Sequence, residues 1–232
     1  MREFPVPLPR YMQHLPVDKR GFPVPAFVHW IDGENEPEPD FRIVDPAHMV
    51  RCVKQSRCWI CGDIVGTYKA FVIGPMCCVN GISSEPPSHL ACAEFAAQVC
   101  PFLSQPLAKR PDKPVPVETH KPAGIMLAHN PGVTAVWVTK RYGLTRAPGG
   151  VLFQIGKPET VAFWAKGRRA TRQEVNEAVA KGLPHLQEMA HKDGRAAERD
   201  LVRMVAAFSN LLDDVLPHPL PDVDLSTFEA VS

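Results

Sequence analysis

The chain has 232 residues, 45% of them apolar, and 26 basic against 25 acidic side chains leave a formal charge of +1. The apolar share builds a real core and excludes disorder throughout, while the balanced charge excludes the global positive field of a general nucleic-acid binder. No apolar run is long enough to span a bilayer, and the opening MREFPVPLPR lacks the basic patch and apolar stretch of a secretory signal, so a soluble, cytoplasmic protein without a membrane partner is expected.

Residues 1–25 alternate prolines with large apolar side chains, a pattern that forbids helix and predicts an extended arm packed along the body. AFVHWID and FRIVD, separated by the acidic GENEPEPD, predict a hairpin with a long loop. Asp45 and Pro46 form an N-cap and first-position pair that opens a helix through about Gln55. TYKAFVIG then reads as a strand, GPMCCVNGISSEPPS as a glycine-bearing hairpin tip, and PPSHLACAEFAAQVC as a helix with proline at its start.

The stretch from Pro101 to Pro122 is rich in proline and has no helical or strand period, which makes it the best domain boundary. Beyond it GIMLAHN, VTAVWVTK, VLFQIG and TVAFWAKG are strand candidates, with a tight turn at NPG, and their short connections predict an antiparallel meander. TRQE at 171–174 is a capping box that launches a helix, which Gly182 and Pro184 are expected to interrupt. From Arg195 onward Leu201, Met204, Val205, Phe208, Leu211, Leu212 and Val215 recur at three and four, the stripe of a helix on a core. The expected class is α+β, with an arm over 1–25, a zinc-binding module over 26–103, a linker over 104–122, a β-meander plus helical hairpin over 123–216, and a tail over 217–232.

Chemistry concentrates in the cysteines. Seven is an odd number, and all lie between Cys52 and Cys100, which favours a metal over a disulfide framework. Cys58 and Cys61 form one C-x-x-C pair, and after 27 intervening residues His89 and Cys92 form H-x-x-C. Zinc takes four such donors in a tetrahedron, usually as two close pairs from two chain segments. Gly62 lets the first pair turn tightly, and the second lies where a helix begins, its positive end favouring the thiolate of Cys92. A redox C-x-x-C would open a helix after a strand, whereas here a glycine and a strand follow.

The order of knuckle, hairpin and ligand-bearing helix over residues 57–100 resembles the treble-clef class of zinc fold. That resemblance implies a structural zinc held by Cys58, Cys61, His89 and Cys92. His-Asn-His nucleases share the class but carry a histidine in the hairpin, and no histidine occurs between Cys61 and His89. More broadly, RCWICG, FVIGPMCCVN, PPSHLACAEFAAQVCPFL and GRRATRQEV resemble a family of bacterial and phage proteins with no attached activity, which implies an origin and no chemistry.

Two further groups are candidates. Cys77 and Cys78 sit beside Asn80, where one could be a reactive thiol, with His120 or His129 as partner, or Cys77 could replace a zinc ligand. Arg168, Arg169 and Arg172 in KGRRATR could meet phosphate at a helix entrance, and AKRPDK at 108–113 adds basic charge. No phosphate-binding loop, dinucleotide fingerprint, nucleophile elbow or H-E-x-x-H occurs. The expected function is therefore a zinc-stabilised, non-enzymatic protein that binds another protein. The alternatives are a nucleic-acid-binding accessory protein and a cysteine- or zinc-dependent enzyme.

Overall fold

The structure, a computed structural model, describes residues 2–33, 36–105 and 130–216. In chain order it contains β1 (Val28–Ile31), β2 (Glu38–Val44), α1 (Pro46–Gln55), β3 (Lys69–Ile73), α2 (Pro75–Asn80), β4 (Ile82–Ser83), α3 (Leu90–Val99) and the short α4 (Pro101–Ser104). There follow β5 (Thr134–Thr139), β6 (Tyr142–Ala147), β7 (Gly150–Ile155), β8 (Thr160–Ala165), β9 (Arg168–Arg169), α5 (Arg172–Asp193) and α6 (Arg195–Val215). Helices and antiparallel strands make this an α+β protein. No helix among the described residues is long and apolar enough to cross a membrane. The expected linker from 106 onward, the first expected strand of the second module up to 129, and the tail from 217 lie outside the described residues, as do AKRPDK, His120 and His129.

Local signals place several boundaries. Asp45 accepts the Ala47 N–H, Pro46 takes the first helical position, and α1 starts there. Thr171 and Glu174 exchange the reciprocal bonds of a capping box at the start of α5.

Tertiary packing overrides the local signals elsewhere. The strands do not form a meander: one sheet has the order β3-β5-β8-β9, a second β4-β7-β6, and β1 pairs with β2 alone. All six residues of β5 are buried, so this strand needs apolar neighbours on both edges, and KAFVI and TVAFWA supply them. YGLTRA, with three exposed residues, takes the edge of the other sheet. The segments expected to be separate modules therefore share both sheets, through the β3–β5 and β4–β7 pairings.

The hairpin tip is instead the helix α2 and the two-residue β4. The prolines at 86 and 87 stay outside α3, which His89 caps. Helix α5 runs through Gly182 and Pro184 without a break. Pro184 removes one backbone bond, but Gly182 lies against Met76 of α2, where an added Cβ would meet the side chain at 2.6 Å, and the hairpin of α5 and α6 is held in place by packing.

The main sheet is covered on both faces. Phe71, Ile73, Ala135, Trp137 and Phe163 form one core with Phe153, α2, α5 and α6. On the opposite face Ala70, Val136, Val138 and Trp164 meet Ala93 and Ala97 of α3, whose small side chains let the helix approach closely. The remaining face of α3 carries Cys92, Phe95 and Val99, and these point to a third cluster around Cys58 and Cys61. Helix α3 thus joins the sheet to the cysteine site.

Candidate metal centre

Ser56 adopts a left-handed conformation at the end of α1 and redirects the chain into a knuckle. The Cys58 N–H donates to the Asp63 carbonyl at 2.7 Å, and the Gly62 N–H donates back to the Cys58 carbonyl at 3.0 Å. Gly62 has φ +83°, a left-handed value that glycine adopts without strain. The buried His48 steadies the turn from α1, its Nε2 lying 3.2 Å from the Cys58 carbonyl and 3.1 Å from that of Trp59. Burial lowers the pKa of His48, which suits a neutral ring donating to carbonyls.

The second ligand pair is fixed by two bonds between Ala70 and Ser88, at 2.9 and 2.7 Å, which deliver His89 to the start of α3. Cys92 follows one turn later, so the helix start presents both donors together.

The ligand atoms of Cys58, Cys61, His89 and Cys92 all lie within 4.8 Å of one another. His89 Nδ1 is 3.3 Å from the Cys61 sulfur and 3.9 Å from that of Cys92. Metal bonds of about 2.3 Å to sulfur and about 2.0 Å to nitrogen separate tetrahedral donors by roughly 3.5–3.8 Å, so the set fits one small cation. The outer contacts fit too. His89 Nε2 lies 3.0 Å from the Ile64 carbonyl, leaving Nδ1 as the ligand atom. The N–H groups of Cys61 and His89 both donate to the Cys58 sulfur at 3.4 Å.

Electrostatics also call for a cation. Burial opposes ionising Cys58, yet hydrogen bonding from Cys61, Cys92 and His89 outweighs it and holds that thiol far below its ordinary range. Hydrogen bonding to Cys58 then pushes Cys61 up to about 12 and, with that to Cys61, pushes Cys92 higher still. Three sulfurs this close carry three negative charges only when a positive ion neutralises them.

The N-terminal arm closes the site. Met12 and Leu15 are buried in the same cluster as the three cysteines, and Phe4 packs edge-on against Phe95 at 5.4 Å. Tyr11 stacks on the His89 ring at 4.2 Å and 3°. His14 Nε2 lies 3.1 Å from the Cys61 carbonyl. Sequence reasoning expected an arm but missed what it covers. The signal was there: Phe4, Val6 and Leu8 alternate with prolines and so share one face.

Compared with protein-family models, curated proteins and solved structures, the chain matches none. Its function must be argued from its own residues.

The other candidates are not brought to this centre. Cys77 and Cys78 lie on α2 and pack in the sheet core, so neither belongs to the four-ligand cluster. Burial pushes the Cys77 thiol up to about 11 and Cys78 well above its ordinary value, which leaves both protonated and poor nucleophiles. Cys52 is likewise raised by burial, to about 12.

The KGRRATR arginines are engaged internally. Arg168 grips Glu174 with two bonds of 2.7 and 2.9 Å, Arg169 lies 3.8 Å from Glu94 and over the Trp164 ring, and Arg172 pairs with Asp213 at 2.8 Å. A cleft of about 130 Å³, lined by Phe4, Phe22 and Val99 among others, is smaller than the roughly 300 Å³ at which small-molecule sites begin.

Proposed function

We propose that Cys58, Cys61, His89 and Cys92 hold a structural zinc ion, in a treble-clef-like module, and that the protein works by binding another macromolecule. The observation that carries this reading is the donor set itself: three buried sulfurs and one imidazole nitrogen within 4.8 Å. Thiolate-rich tetrahedra select zinc among common divalent ions, and four protein donors leave no position for a substrate water. Zinc here supplies folding energy, because the site exists only when the knuckle, α3 and the arm are assembled. A binding role is supported by the protonated state of Cys77 and Cys78 and by the small cleft.

The test is elemental analysis of protein purified without added metal, beside the Cys58→Ser variant. One zinc per native chain, and none in a variant that melts at lower temperature, is the expected result. A native chain that folds cooperatively without zinc overturns the reading.

A further inference from the structure

Several exposed cations of this protein are neutralised at home. The KGRRATR arginines face Glu174, Glu94 and Asp213, while Lys19 and Arg20 face Glu38 and Asp18. One end of the sheets gathers several that are not. There the start of β3, the β5–β6 turn and the β7–β8 loop come together, because Lys69 pairs with Thr139 and the buried Thr139 hydroxyl lies 2.9 Å from the carbonyls of both Arg141 and Lys157. Gly156 permits this convergence, since a Cβ there would run into the Arg141 carbonyl. Trp137 Nε1 adds a bond to the Gly156 carbonyl at 2.9 Å.

Residues 66–69, 139–142 and 156–159 hold four cations, Lys69, Lys140, Arg141 and Lys157, against one carboxylate, Glu159. Glu159 pairs with Lys140 at 3.0 Å, and among the described residues no carboxylate pairs with Lys69, Arg141 or Lys157. Amid this charge Tyr68 stands 54% exposed, with the Lys140 ammonium 5.4 Å from its ring centre.

We propose that this end of the sheets is a docking surface for single-stranded nucleic acid, with Arg141 and Lys157 meeting phosphates and Tyr68 stacking on a base. The combination decides the partner. Unpaired cations in a rigid frame fit a polyanion, and an exposed ring among them fits an unstacked base. Among the described residues the surface is built from strand ends and turns, and the exposed Tyr68 ring offers a platform that only an unstacked base can use. The proposal rests on the reading of the protein as a zinc-stabilised binder. It moves the phosphate contact from Arg168, Arg169 and Arg172 to Arg141 and Lys157, and the partner from protein to nucleic acid.

The experiment measures anisotropy of labelled oligothymidylate with the zinc-containing protein across a salt series. The expected result is salt-dependent binding, weakened about tenfold or more by Tyr68→Ala. Arg141→Glu with Lys157→Glu should weaken binding further and lower the salt slope by about 0.7 for each lost phosphate contact. The matched control, Arg168→Glu with Arg169→Glu, leaves affinity within about twofold.

No binding at low salt, equal binding of a duplex, equal competition by polyglutamate, or indifference to Tyr68→Ala each overturns the proposal. Zinc measured on the same preparations separates the two readings. Lost binding in a zinc-replete variant concerns this surface alone, and a zinc-free native chain concerns the metal.

Discussion

The two faces of α3 are held by different physics. Ala93 and Ala97 press against Val136, Val138 and Trp164 of a sheet whose far side is filled by Phe71, Phe153 and Phe163. Cys92, Phe95 and Val99, on the other face, meet a knuckle, a proline-rich arm and a ligand set, with Val72 as the sheet's contribution. Aromatic area stabilises the first side without help. The second side has short segments that pair by single bridges, at Arg57 with Ile64 and Ala70 with Ser88, and four side chains whose ligand atoms lie within 4.8 Å of one another. One helix thus links a sheet core to a second core that, in the proposed reading, a metal completes.

Removing the metal breaks this comparison most severely. Chelation, or Cys92→Ser, is expected to lower the melting temperature by about 10 °C or more. Hydrogen exchange should show protection lost first around residues 2–26 and 56–66 and retained longest in β5 and β8, the buried centre of the sheet. Phe71→Ala strikes the other side, where a cost of about 3–5 kcal/mol is expected in denaturant melts with zinc content unchanged.

Tyr11→Ala sharpens the role of the arm. Loss of the stack on His89 should cost about 1 kcal/mol and speed zinc transfer to a competing chelator in a colorimetric assay. The smallest effect is expected at the start of α5. Hydrogen bonding from Arg168 lowers the pKa of Glu174 from 4.5 to about 2. Its contribution is therefore fully present above pH 4.5 and lost as pH falls toward 2. Glu174→Gln should cost about 0.5 kcal/mol near neutrality, and the gap from the native protein should narrow over that acid window.

What could be read from the sequence was local. The ligand pairs stood out because each spans a single turn, and α1, the start of α5 and the α6 stripe, apart from the exposed Met204, were announced by caps and period. Strand β6 escaped because an edge strand with exposed Leu144, Thr145 and Arg146 carries no apolar alternation. Helix α2 escaped because its six residues lie between glycines and open on a proline, which reads as a turn. The pairing of β3 with β5 joins residues some seventy apart in the chain, and only the burial demand of β5 selects it. For the same reason the basic end of the sheets was invisible: its three segments are separate in sequence and meet at one residue, Thr139, through strand pairing and its hydroxyl. KGRRATR misled because a run of arginines shows its charge and conceals the carboxylates that neutralise it.

Cobalt substitution reports whether four protein donors close the site. With Co²⁺ in place of zinc, the native protein should show the intense visible bands of a tetrahedral ion together with thiolate charge-transfer absorption. Cys77→Ser should leave that spectrum intact, and Cys61→Ser should alter it. Weak bands of a six-coordinate ion, or a spectrum that responds to Cys77→Ser and ignores Cys61→Ser, would contradict the account.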